Sequence, residues 1–319
     1  ITVDGIIGIG YQALQVLTSG SGSTVVGYKA GKNVTTGNSN TALGYNSLGG
    51  NVSTALTGAD NIALGANAGR DIQGSAEANI LIGKDAGDSL TTGNFNILIG
   101  RDAGEALVDE THNTAIGTDA LGGSSLVDQT VIIGSQAGKG AMEATANGAV
   151  CVGYESGAAI TEGAGVTVIG FQAGKALTTG SNNTAVGYQA LLGADDSQGN
   201  VAIGHLAMGI GNPANNNVAI GASALEDTTG ASNVAIGYRA GRNVLGVNDN
   251  VCIGHNAGLT MTDTADTVLI GRDAGKLIDH SDAGGTICIG KNAGEEITSG
   301  RYSTIIGFNS AMVMTEADG

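Results

Sequence analysis

A glycine that returns about every 17 residues governs this chain. The anchors are Gly10, Gly27, Gly44, Gly65, Gly83, Gly100, Gly117, Gly134, Gly153, Gly170, Gly187, Gly204, Gly221, Gly237, Gly254, Gly271, Gly290 and Gly307, and most of the intervals between them are 17 residues. Self-similarity at a fixed period of this size marks a repeat architecture, in which each unit buries its apolar surface only by stacking on its neighbours. The pattern runs from about residue 6 to residue 314, so all 319 residues read as a single array rather than two globular domains.

The residue before every anchor is Ile, Val or Leu, and the residue three before it is Ile, Val or Thr. β-Branched residues suit a pleated surface, and positions two apart share a face. Each copy therefore predicts a short strand, and we read this face as the one pointing into the coil. The residue between them is also apolar in many copies: Leu81, Leu98, Ile132, Cys151, Val168, Cys252, Leu269, Cys288 and Ile305. A strand apolar on both faces is covered on both. These nine residues are accordingly the candidate subunit interface, with a second strand of the same chain as the alternative cover.

Three residues after the anchor stands Ala, or Ser at Ser47, Ser156 and Ser310, which implies close approach of another backbone. Gly comes next in eleven copies and permits positive φ at a tight corner, a role we also assign to the anchor. Seven after the anchor lies a second, weaker apolar rung, including Leu17, Val34, Leu90, Leu107, Leu177, Val244 and Ile297, then a polar return turn such as Thr178-Thr179-Gly180. Strand, corner, short strand and turn make one coil. The predicted fold is all-β: a parallel β-solenoid of about 18 coils, with loop insertions where the interval lengthens.

Four residues before the anchor, Asn recurs at Asn40, Asn61, Asn79, Asn96, Asn113, Asn183, Asn200, Asn217, Asn233 and Asn250. Stacked coils set such amides about 4.8 Å apart, close enough for a structural hydrogen-bonded ladder. Directly after the anchor fall Tyr11, Tyr28, Tyr45, Tyr154, Phe171, Tyr188, Tyr238 and Phe308, with amides such as Gln172 and Gln189 beside them. This stripe is either a surface that stacks on sugars or a shield for the coil edge.

Chemistry is otherwise sparse. Cys151, Cys252 and Cys288 lie at least two coils apart, beyond the reach of an intrachain disulfide, which leaves buried thiols or pairing across subunits. The histidines lack metal spacing, no cofactor is expected, and the Asp-Ala-Gly triplets at Asp85, Asp102 and Asp273 leave only structural Ca2+ to weigh. Nucleophile-elbow, P-loop and zinc-protease motifs are absent, so the chain reads as a non-enzyme, although a glycosidase-like carboxylate pair remains an alternative. A net charge of −16 disfavours nucleic acid and anionic membranes, and no apolar run suits membrane insertion. Ice binding would need an outward Thr array, whereas most Thr falls on the face read as inward.

Asn200-Val201-Ala202-Ile203-Gly204 and Asn233-Val234-Ala235-Ile236-Gly237 resemble the head repeats of trimeric autotransporter adhesins of the YadA type. Asn183-Thr184-Ala185-Val186-Gly187-Tyr188-Gln189-Ala190-Leu191 is similar to repeats of phage and virus tail fibres. The resemblance implies a left-handed β-roll, a homotrimeric fibre, a location outside the cell, on a cell surface or on a virion, and attachment to a glycan or protein receptor of a host. The coil is longer than in adhesin heads, and no heptad stalk or membrane anchor accompanies it, which favours a segment of a longer tail fibre or other extracellular fibre. A polysaccharide-degrading tailspike and a self-assembling matrix or surface filament are the alternatives.

Overall fold

The computed structural model of the chain describes residues 3–50, 54–298 and 300–314. Two compact units, 1–165 and 166–319, each carry nine coils of a parallel β-solenoid. In the first unit the coils are marked by three-residue strands from Ile7–Ile9 and Thr24–Val26 to Val131–Ile133 and Val150–Val152. In the second they run from Thr167–Ile169 and Thr184–Val186 to Ile287–Ile289 and Thr304–Ile306. Pairing is parallel and in register, like residue on like: Ile80, Leu81 and Ile82 face Ile97, Leu98 and Ile99, and Val201, Ala202 and Ile203 face Val218, Ala219 and Ile220.

The strands end where they do because of the anchor glycine. Its φ lies between +132° and +145°, a conformation open to little but glycine. Where another anchor glycine follows one coil on, space forbids any other residue as well. A Cβ on Gly100 would lie 2.3 Å from the carbonyl oxygen of Gly117, one coil on, and a Cβ on Gly187 would lie 2.5 Å from that of Gly204. Backbone rests directly on backbone along this column. The small residue three further on is fully buried in every coil but the first and last, Ala13 and Ser310, and where it is Ser its hydroxyl donates to the anchor carbonyl, as in Ser47 to Gly44 at 3.2 Å.

The asparagines form a ladder in each unit. Asn79 Nδ2 donates to Asn61 Oδ1 at 3.0 Å and Asn96 Nδ2 to Asn79 Oδ1 at 3.1 Å, while the same amides reach the return-turn carbonyls of Gly93 and Glu110 at 2.9 and 2.8 Å. In the second unit Asn217 N and Asn250 Nδ2 continue the pattern onto Asn200 and Asn233. Thr replaces Asn without breaking it: the Thr130 and Thr267 hydroxyls each donate to the preceding Asn Oδ1 at 2.8 Å. Each amide thus satisfies buried backbone groups that a thin coil could not otherwise pair.

The strand faces are the reverse of the expectation. Leu81, Leu98, Ile132, Cys151, Val168, Leu269 and Cys288 are wholly inaccessible within one chain, Cys252 is 1% exposed and Ile305 7%. These nine side chains fill the coil interior and are not a subunit interface. For the same reason the three cysteines cannot pair across subunits. They are buried free thiols, and burial pushes Cys151 and Cys252 up to about 12 and Cys288 up to about 11. The flanking residues, expected to point inward, form the outer face: Ile203 and Ile220 are 38% and 37% exposed, Leu43 52%. The Thr side chains of the first strand position, such as Thr41 and Thr184, are therefore on the outside, mixed with Val and Ile.

The interior is too narrow for two large residues, and the coils resolve this in two ways. Where the corner residue four after the anchor is Gly, the middle strand residue is usually large, as in Leu98/Gly104, Val168/Gly174 and Leu269/Gly275. A Cβ on those glycines would come within 2.8, 2.6 and 2.5 Å of that side chain. Where the corner is Leu or Met, as at Leu48, Leu121, Leu191, Met208 and Leu225, the middle residue is Ala and the corner side chain itself fills the core. Ala63/Gly69 and Ala235/Gly241 obey the same rule one coil out, since a Cβ on those glycines would come within 3.2 and 2.9 Å of Leu48 and Leu225 of the preceding coil. Close packing enforces this exchange of volume.

The expected second strand is regular only in places. Two-residue strands form a six-stranded sheet from Asp227–Thr228 to Val313–Met314, and isolated bridges link Val34, Leu56 and Gly74. The two 19-residue intervals, Gly134 to Gly153 and Gly271 to Gly290, absorb their extra residues as single 3-10 turns, Ala144–Ala146 and Ser281–Ala283.

Candidate functional site

The aromatic stripe stands on the outer edge of the coils because the residue after the anchor begins the corner and points away from the core. The next residue is left-handed in every coil (Lys29 at φ +57°, Asn46 at +56°, Gln189 at +52°), which turns the chain and sets a second outward column beside the rings. Rings one coil apart meet face to face. Tyr11 and Tyr28 have centroids 5.2 Å apart, Tyr28 and Tyr45 5.3 Å with planes 3° from parallel, and Phe171 and Tyr188 5.2 Å. Tyr154 and Phe308 occupy the same column at 44% and 70% exposure.

Two histidines belong to these stacks, which sequence reasoning missed by weighing them only as metal ligands. His205 stacks on Tyr188 at 5.1 Å and His255 lies tilted on Tyr238 at 5.3 Å. Their place directly after an anchor glycine was the available signal. Cations flank several rings: Lys29 with Tyr28 at 5.3 Å, Arg239 with Tyr238 at 4.9 Å and Lys291 with Phe308 at 5.5 Å.

The second column is a run of polar side chains linked between coils. Gln189 donates to Gln172 at 2.8 Å, Asn67 to Asp85 at 2.9 Å and Asn256 to Asp273 at 3.0 Å. Burial pushes Asp85 and Asp273 upward, but hydrogen bonds from Asn67 and Lys84, and from Asn256 and Arg272, outweigh it and hold both carboxyls below the usual range. Asp88 behaves oppositely. Its burial outweighs the attraction of Arg70, 3.0 Å away, and its carboxyl is raised to about 6.

Stacking decides what the stripe can do. A ring inside a stack has both faces covered and presents only its edge, so the eight aromatics do not form one continuous platform. The last ring of a stack keeps one face that no further ring covers. After Tyr45 the next coil carries Ala66 in the ring position, and after His205 it carries Ala222. At those steps no ring from the next coil covers the terminal ring.

Among the described residues, no group of three or more His, Cys, Asp or Glu side chains is placed to hold a metal ion, and no helix is long and apolar enough to cross a membrane. No protein-family model matches the chain, and no curated protein does. A functional reading therefore rests on the geometry.

Proposed function

We propose that this chain is a segment of a non-enzymatic structural and adhesive fibre, outside the cell or on a virion, in which three copies pack through the outer faces of their strands. The observation that carries the reading is the outer apolar face itself. In every coil both outward strand positions are Ile, Val, Leu or Thr, with no charged residue among them, and they stand half exposed in the single chain. Parallel sheets bury both faces, and contiguous apolar surface of this kind marks an interface. Copies of the same chain suit it because the rows are uniform from coil to coil. The half-exposed stripe at the coil edge, with its free ring faces, supplies the adhesive surface.

Light scattering of the purified chain at several concentrations tests this. The expected mass is that of three chains, and Ile203→Lys combined with Ile220→Lys should give a folded monomer. A monomeric parent chain would overturn the assembly. Release of new reducing ends from a polysaccharide by the parent chain would overturn the non-enzymatic assignment.

A further inference from the structure

The first coils differ from the rest of the molecule in charge. Between Asp4 and Asp60 there is no Asp or Glu, yet Lys29 and Lys32 lie there, in a chain of net charge −16. Elsewhere Lys84, Arg101, Lys139, Arg242, Arg272, Lys276 and Arg301 each meet a carboxylate. Among the described residues, Lys29 and Lys32 form no such pair. Both half-buried lysines line one surface cavity of about 380 Å³, together with Tyr45, Asn46, Asn67 and Arg70. That volume falls within the range of small-ligand sites, roughly 300–1,000 Å³.

Each wall has a distinct chemistry. Tyr45 is the last ring of the Tyr11–Tyr28–Tyr45 stack, and its next neighbour in the column is Ala66, so one ring face is uncovered. Asn46 and Asn67 are neighbouring rungs of the polar column, the first donating to the second at 3.4 Å and the second to Asp85 at 2.9 Å. Arg70 is engaged by Asp71 at 3.1 Å and Asp88 at 3.0 Å, so it closes the wall while the two ammonium groups keep their charge for a ligand.

We propose that this cavity binds a carboxylated saccharide, its ring on the free face of Tyr45, its carboxylate between Lys29 and Lys32, and its hydroxyls on the two amides. A flat apolar face with convergent polar groups matches a pyranose ring, and paired ammonium groups match a carboxylate. The strongly acidic remainder of the chain repels an extended polyphosphate, which separates this ligand from nucleic acid. The assignment rests on the adhesive reading and specifies its ligand class.

Calorimetric titration of the full chain with a glucuronic acid hexamer, its carboxyl-reduced neutral form, inorganic phosphate and oligothymidylate tests it. The acidic hexamer should bind at least tenfold more tightly than the neutral one. Lys29→Gln with Lys32→Gln should weaken it at least tenfold, and Tyr45→Ala should do so independently, with circular dichroism and solution mass unchanged. Absent binding, equal affinity for the neutral hexamer, undiminished binding by the double variant, or equal affinity for phosphate or oligothymidylate would each overturn the proposal. Failure of the adhesive reading is distinct: the parent fibre would then not attach to cells at all. A double variant that attaches as well as the parent would sink this ligand assignment alone.

Discussion

At the scale of single residues, the coil is governed by volume and backbone strain rather than by hydrophobicity as such. Leu121 occupies a left-handed corner at φ +55° because its side chain must fill the space that Ala115 leaves. Leu121→Gly removes a buried side chain but relieves the left-handed strain, for a net loss of about 2–3 kcal/mol by chemical denaturation. Adding Ala115→Leu should restore more than half of it, because Leu98/Gly104 already shows that arrangement one coil earlier. Asp88 makes a prediction of a different kind. Its folded value, about 6, lies above its ordinary 3.8, so the folded chain binds the proton more tightly than the unfolded one. That contribution is fully present below pH 3.8 and is lost as pH rises through about 6, an effect on the order of 2 kcal/mol. Asp88→Asn should flatten the stability profile between about pH 4 and 6; an unchanged slope would assign the titration elsewhere.

At the scale of the coil, each element is a module whose two edges are equivalent. Val201 and Val218 hold the same place in successive coils, so excising residues 201–217 joins Asn200 to Val218 in register. The shortened chain should keep its β-type circular dichroism and a thermal midpoint within about 5 °C of the parent, since stability in such arrays sums over neighbours. Excising 201–208, half a coil, breaks the register and should unfold the second unit. Most of this element was legible in the sequence. Strand position, corner glycines and asparagine rungs each depend on residue type in one column, and type can be read directly. Which strand face is inside was not legible that way, because both are apolar and alternation separates two faces without ranking them. The deciding information lies between columns, in the exchange Leu98/Gly104 against Ala115/Leu121. The face with the most uniform residues proved to be the outer one, where nothing within the coil trades volume with it.

At the scale of the whole molecule, the same inversion moves the expected contact between copies from the middle residues to their neighbours. The candidate adhesive stripe was legible as a column of aromatics, but its division into separate stacks was not. That division depends on the residue one coil beyond each ring, Ala66 beyond Tyr45 or His205 beyond Tyr188, rather than on the rings themselves. The stack in the first coils also has an optical consequence. The chain has no Trp, so its near-ultraviolet absorption comes mainly from seven tyrosines, three of which lie nearly parallel with centroids 5.2 and 5.3 Å apart. Chromophores held so closely share their excitation, and the chirality of their arrangement is imprinted on the light they absorb. The first three coils thus carry an intrinsic spectroscopic label at the edge of the cavity beside Tyr45.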